Sequence, residues 1–402
     1  MPRLNLKAHH HIALAYFFLA ALLGILLRLF YIIPVAGNYR YILHAHSHTA
    51  LLGWVYLALT GIIYRLFFHR TILLKKYCYL FLATNISLLG MLFSFPFQGY
   101  AMISIIFSTL FLFCSYFYTA FVFKNVPEIF RKTQSFKLIK AALWYMVFSS
   151  IGPWALGVIM STLGKTSLWY KLSVYFYLHF QYNAWFLLAI LGILFFLFQK
   201  LELDFEASKF KRFFFLLNSG VILSFFLSTY WTKPPLIFYF LGGLGAILVL
   251  LAFLQLFAFL LQNKKLLKSG LRSMEYRILK ISGLLLAGKI LMQSLTAIPY
   301  FADLAFHNLD FVIGYLHWVF LGFVSLALFA FLNWLKIIQV PRNAFYFYLA
   351  GFIISESLIF YKGLVLWLGL PFISNYFLIL VLVSAFIPVA VGWILCANLS
   401  KK

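Results

Sequence analysis

Runs of 18 or more apolar residues recur along the whole chain, and no other feature narrows the fold as much. Each run is long enough to cross a hydrocarbon core of about 30 Å as a helix. Apolar residues make up 65% of the sequence and charged residues 10%. A soluble protein of this length could not cover so much apolar surface. The expected fold is therefore all-α, a polytopic bundle of about twelve transmembrane helices forming a single transmembrane domain over 1–402, with the lipid bilayer as its solvent. The spans are expected near 12–33, 42–66, 77–96, 100–123, 140–162, 172–198, 212–231, 236–261, 278–299, 310–334, 345–368 and 373–397.

The net charge of +24 does not indicate a nucleic-acid partner, because Lys and Arg lie between the apolar runs and not in one patch. Alternate loops differ sharply. One set carries Arg65, Arg70, Lys75, Lys76, Lys124, Arg131, Lys132, Lys137 and Lys140, then Lys200, Lys209, Lys211 and Arg212. It continues through Lys264, Lys265, Lys268, Arg272, Arg277 and Lys280 to Lys336, Arg342, Lys401 and Lys402. The other set carries Arg40, Lys165, Lys171, Lys233 and little else. The positive-inside rule then puts both termini in the cytoplasm, and the chain is expected in a bacterial inner membrane as a multi-pass protein. Losing one span would invert the pattern downstream, so the alternation supports the count of twelve. No small-residue cleavage site follows the short basic start, and the first helix is expected to be kept. Cys78, Cys114 and Cys396 lack metal-site spacing and read as small buried apolar residues. No short-period repeat or low-complexity linker is present.

Ionisable residues inside spans are costly and mark functional sites by default. His44, His46 and His48 open the second span, His179 lies in the sixth and His317 in the tenth. Even-numbered spans all run in the same direction. His48, His179 and His317 each fall six to eight residues into theirs, which places all three roughly 10 Å below the outer surface. Histidines at one depth can converge on a ligand site, and neutral imidazole suits haem iron and copper. His44 and His48 share a helix face, whereas His46 points away. His9, His10 and His11, together with His69, lie toward the opposite side and read as interfacial polar residues. Lys289 and Glu356 are expected to pair near mid-membrane. Asp303 and Asp310, which flank His307 outside the membrane, read as a cation or partner surface.

Twelve helices with histidines on the second, sixth and tenth resemble subunit I of the haem–copper oxidase superfamily. His48-Thr49-Ala50-Leu51-Leu52 is similar to the helix 2 motif that supplies a low-spin haem ligand, and Ile313-Gly314-Tyr315-Leu316-His317 is similar to the helix 10 motif. The resemblance implies that His48 and His317 ligate one haem b, with Arg28 and Arg40 as cationic partners of its propionates. It implies a copper site at His179, with His44 or His46. It also implies respiration-linked electron transfer from a quinol or cytochrome c, or the binding of a small gas. Three departures stand against oxidase activity. Tyr315 replaces the first histidine of the helix 10 pair, Leu227-Ser228-Thr229-Tyr230-Trp231 holds no helix 7 histidines, and Asn183 stands where the family has Tyr or Glu. His44-Ala45-His46 followed by Gly53 resembles a second group, the twelve-span haem- and copper-containing proteins of nitric oxide stress, in which the first two histidines would carry the match. A secondary transporter and a haem or copper assembly factor are the remaining alternatives.

Overall fold

The computed structural model describes residues 5–68 and 74–400; His69, Arg70, Lys401 and Lys402 lie outside them. Among the described residues every element is a helix, and twelve helices are long and apolar enough to cross a membrane. They are α1 (Leu6–Leu29), α2 (Tyr39–Phe68), α3 (Lys75–Gln98), α4 (Met102–Asn125), α5 (Gln134–Thr162) and α6 (Leu168–Lys200). The series continues with α7 (Ala207–Thr232), α8 (Leu236–Gln262), α9 (Ser273–Leu295), α10 (Leu309–Trp334), α11 (Arg342–Leu368) and α12 (Tyr376–Leu399). Each of the twelve expected spans falls on one of these helices. The chain is a multi-pass membrane protein.

Polar residues at helix starts do what their chemistry predicts. The Asn5 carboxamide accepts from the Ala8 N–H at 2.8 Å, and Asn38 accepts from Arg40 N–H at 2.9 Å. Ser167 and Asn308 cap α6 and α10 in the same way, at 3.1 and 3.2 Å. Phe93, Phe117, Phe215, Phe240 and Leu366 stay exposed, as a surface dissolved in lipid requires. Cys114 is buried as expected, but Cys78 is only half-buried and Cys396 is exposed. A thiol on an outward helix face in lipid needs no burial by protein, which is why composition alone misplaced it.

The chain divides into two compact units, residues 1–126 with 320–402 and residues 127–319, so the boundary falls inside α10. In the first unit, Phe17 of α1 stacks on Trp54 of α2 at 4.9 Å. The Trp54 indole donates to the Ser325 hydroxyl at 2.8 Å, and the Tyr348 hydroxyl to the Leu321 carbonyl at 2.8 Å. Asn398 clasps the Gln339 backbone through both ends of its carboxamide. In the second unit, small residues let helices approach closely. A Cβ on Gly245 of α8 would lie 2.2 Å from the Ser224 nitrogen of α7. The Ser135 hydroxyl of α5 donates to the Gly192 carbonyl of α6 at 2.7 Å.

Candidate functional site

Three helices stand apart by burial. Within the apolar windows of α6, α2 and α10, 94, 83 and 67% of residues are buried, against 44% or less in the other nine spans. These are the helices that carry His179, His48 and His317. Each also widens into a π-helical segment at the residue after its histidine: Thr49–Tyr56, Phe180–Phe186 and Trp318–Val324. A π segment spends extra residues on one turn, re-aims the side chains around it, and recurs at functional sites.

The sequences that follow the three histidines also match. Five residues on stand Gly53, Ala184 and Gly322, and six residues on stand Trp54, Trp185 and Phe323. Nine to eleven residues on stand Leu57-Ala58-Leu59, Leu188-Ala189-Ile190 and Leu326-Ala327-Leu328. Histidine, π segment and small-residue pattern thus recur at a long period, on the second helix of each group of four. Sequence reading that searched only for short periods missed this, although aligning the chain on its three histidines exposes it.

Around His48 the parts are local. The His48 Nδ1 lies 2.8 Å from the His44 carbonyl, which can only accept, so Nδ1 carries the proton and the lone pair sits on Nε2. Gly99 ends α3 at a φ of +59°, a left-handed conformation suited to glycine. The Ser104 hydroxyl fastens that turn by donating to the Gly99 carbonyl at 2.5 Å. The turn delivers Tyr100, whose hydroxyl is 3.2 Å from His48 Nε2 and whose ring meets His44 edge-on at 4.6 Å. His46 points to α1 instead, as helix spacing predicts. Its Nδ1 lies 2.8 Å from the Ala20 carbonyl, and Gly24 leaves room for the ring. A backbone-tethered Nδ1–H with the lone pair at Nε2 is the arrangement that orients imidazole toward iron or copper.

His179 is built differently. Lys289 has only protons to give, and it donates to Asn183 Oδ1 and, at 2.5 Å, to Gln293 Oε1. That orientation turns the Asn183 amide NH2 toward His179 Nδ1, 3.1 Å away. Nδ1 must then accept, and Nε2–H donates to the Val221 carbonyl at 2.9 Å. In this arrangement both ring nitrogens are committed and neither offers a lone pair to copper. His44 and His46 belong to the first unit and His179 to the second, and no group of metal-holding residues forms among the described residues. His48 and His317 likewise belong to different units. Trp318, next to His317, donates its indole N–H to the Leu285 carbonyl at 2.8 Å. Tyr315 meets Tyr182 edge-on at 6.0 Å, and its buried hydroxyl has no hydrogen-bond partner among the described residues.

The expected Lys289–Glu356 pair is distributed over the two units, with Lys289 in the second and Glu356 in the first. Within its own unit Lys289 is held by two neutral carboxamides, those of Asn183 and Gln293. Arg40 is exposed in the first turn of α2, and His307 is exposed with Asp303 3.4 Å away.

A second revision concerns the opposite end of the first unit. His9 and His10 are fully buried within the protein. His9 Nε2 lies 2.8 Å from the Leu57 carbonyl, and its ring stacks on Phe81 at 4.3 Å. Both rings fit because Gly61 has no side chain, since a Cβ there would lie 2.4 Å from His10 Cε1.

No family model matches the chain, and no curated protein matches it.

Proposed function

We propose that the chain is a haem-binding membrane protein related to oxidase subunit I. It would serve electron transfer or gas binding without a complete haem–copper centre. The observation that carries this reading is the threefold recurrence of a histidine at the head of a π segment on the three most buried helices. Polar groups at such depth are expensive, and a feature repeated three times is not incidental. His48 adds ligand chemistry, because its proton is tied to the His44 carbonyl and its lone pair meets only the Tyr100 hydroxyl, which iron would displace. His48 is the axial ligand whose own surroundings support the role; His317 enters on the resemblance alone. A bound haem b would supply a one-electron couple or an iron position for a gas. The chain's own part is to hold the His48 ring in one tautomer and to exclude water with the aromatic wall of Phe95 and Tyr100. Pyridine haemochrome analysis of the purified protein tests this, with about one haem b per chain expected in wild type. Less than a tenth of that, after expression with added haem precursor, would defeat the reading.

The reading in second place is a proton-coupled secondary transporter. It is favoured by the continuous chain from Lys289 through Asn183 and His179 to the Val221 carbonyl. Solute flux in proteoliposomes that responds to an imposed pH gradient, from protein without haem, would move the weight to it.

A further inference from the structure

The Lys- and Arg-rich face of the second unit carries a pocket that neither reading uses. It lies where the ends of α5, α6 and α7 meet, and its volume is about 540 Å³, within the usual range for a small-molecule site. Its floor is aromatic: Phe195, Phe198, Phe205, Phe210 and Phe214. Phe195 meets Phe205 at 5.2 Å and Phe210 at 5.4 Å, so the floor is a packed cluster and not loose side chains. The loop that closes one side is pinned by the Gln134 amide, which donates to the Phe205 carbonyl at 2.6 Å.

The rim is cationic. Lys132, Lys137 and Lys211 line the pocket with Asp204 as the one acid, three positive charges against one negative. Lys209, nearby, is neutralised by Glu206 at 3.1 Å, whereas none of the three rim lysines forms an ion pair among the described residues. Phenyl rings below and unpaired ammonium groups above, at the mouth of membrane helices, select a molecule with the same polarity. Basic pockets between transmembrane helices bind anionic headgroups for this reason.

We propose that this pocket binds the phosphate headgroup of an anionic phospholipid. The phosphate lies among Lys132, Lys137 and Lys211, and the glycerol end of the lipid lies on the phenylalanine floor. A free phosphate shares the ionic half of this chemistry but makes no use of the floor.

The test uses full-length protein in a neutral detergent, with bound lipid counted by native mass spectrometry during titration with phosphatidylglycerol. The variant Lys132→Gln/Lys137→Gln/Lys211→Gln changes only exposed side chains and leaves the fold intact. Its control is Lys264→Gln/Lys265→Gln/Lys268→Gln, which removes the same charge from the same loop-bearing face. The pocket variant is expected to bind phosphatidylglycerol roughly tenfold to a hundredfold more weakly, and the control within about twofold of wild type. Millimolar inorganic phosphate is expected not to displace the lipid. Equal loss in both variants overturns the proposal, as does equal retention of phosphatidylethanolamine. Displacement by inorganic phosphate alone overturns the lipid assignment and gives the site to a soluble phosphate.

Discussion

His48 and His179 begin alike and end differently. Each precedes a π segment on a buried helix, and each has one ring nitrogen bound to a backbone carbonyl. His48 receives only the Tyr100 hydroxyl at its other nitrogen. His179 receives an amide that is itself locked by a buried ammonium. A hydroxyl can swing away and expose a lone pair, but an amide clamped by Lys289 cannot do so without stranding a charge in lipid. The first histidine is suited to binding something; the second holds a network together.

Breaking that network should have the largest effect. Asn183→Leu leaves the Lys289 ammonium short of an acceptor and His179 Nδ1 without a donor. It should cost about 3 kcal/mol of stability, read as a drop in the thermal midpoint in detergent. Lys289→Met in the same background should recover most of that loss, because the stranded charge is gone. Full additivity of the two changes would show that Lys289 and Asn183 do not act together.

The next effect compares Gly61 and Gly192, which both stand thirteen residues after the histidine of their helix. Gly61→Ala pushes a methyl group into the His10 ring, which cannot bend, and should cost about 1–3 kcal/mol. Gly192→Ala meets the Ile139 side chain at 2.6 and 2.7 Å and the Ser135 carbonyl at 3.2 Å, and should cost less because the Ile139 side chain can turn aside where the histidine ring cannot. The third position is already Ala330, which is buried. Parallel unfolding curves for the two variants sharpen the comparison, and a more costly Gly192 change would contradict it.

Tyr100→Phe should have the smallest effect. It removes the group that competes for His48 Nε2, so haem affinity should stay level or rise by up to about fivefold. A large loss would mean that the hydroxyl assists binding.

Much of this was legible in the sequence for a plain reason. Twelve apolar runs and alternating basic loops report the solvent directly, and the lipid leaves the backbone almost no choice. His48, His179 and His317 were legible because ionisable groups stand out among Leu and Phe. The π segments were not legible, since nothing in Thr49–Tyr56 differs in composition from an ordinary buried helix. Nor was the burial of His9 and His10, which depends on a glycine about fifty residues away. Gln293 as a partner of Lys289 follows from four-residue spacing on one helix, but Asn183 lies on another helix and only the fold brings it there.

The most direct test is the reduced-minus-oxidised visible spectrum of the detergent-purified protein, recorded for wild type, His48→Ala and His179→Ala at matched protein concentration. The account predicts the α-band of a six-coordinate b haem in wild type, its loss in His48→Ala, and its retention in His179→Ala in whatever fraction stays folded. A band that survives in His48→Ala, or a wild type with no haem at all, would contradict the assignment of His48 as the ligand.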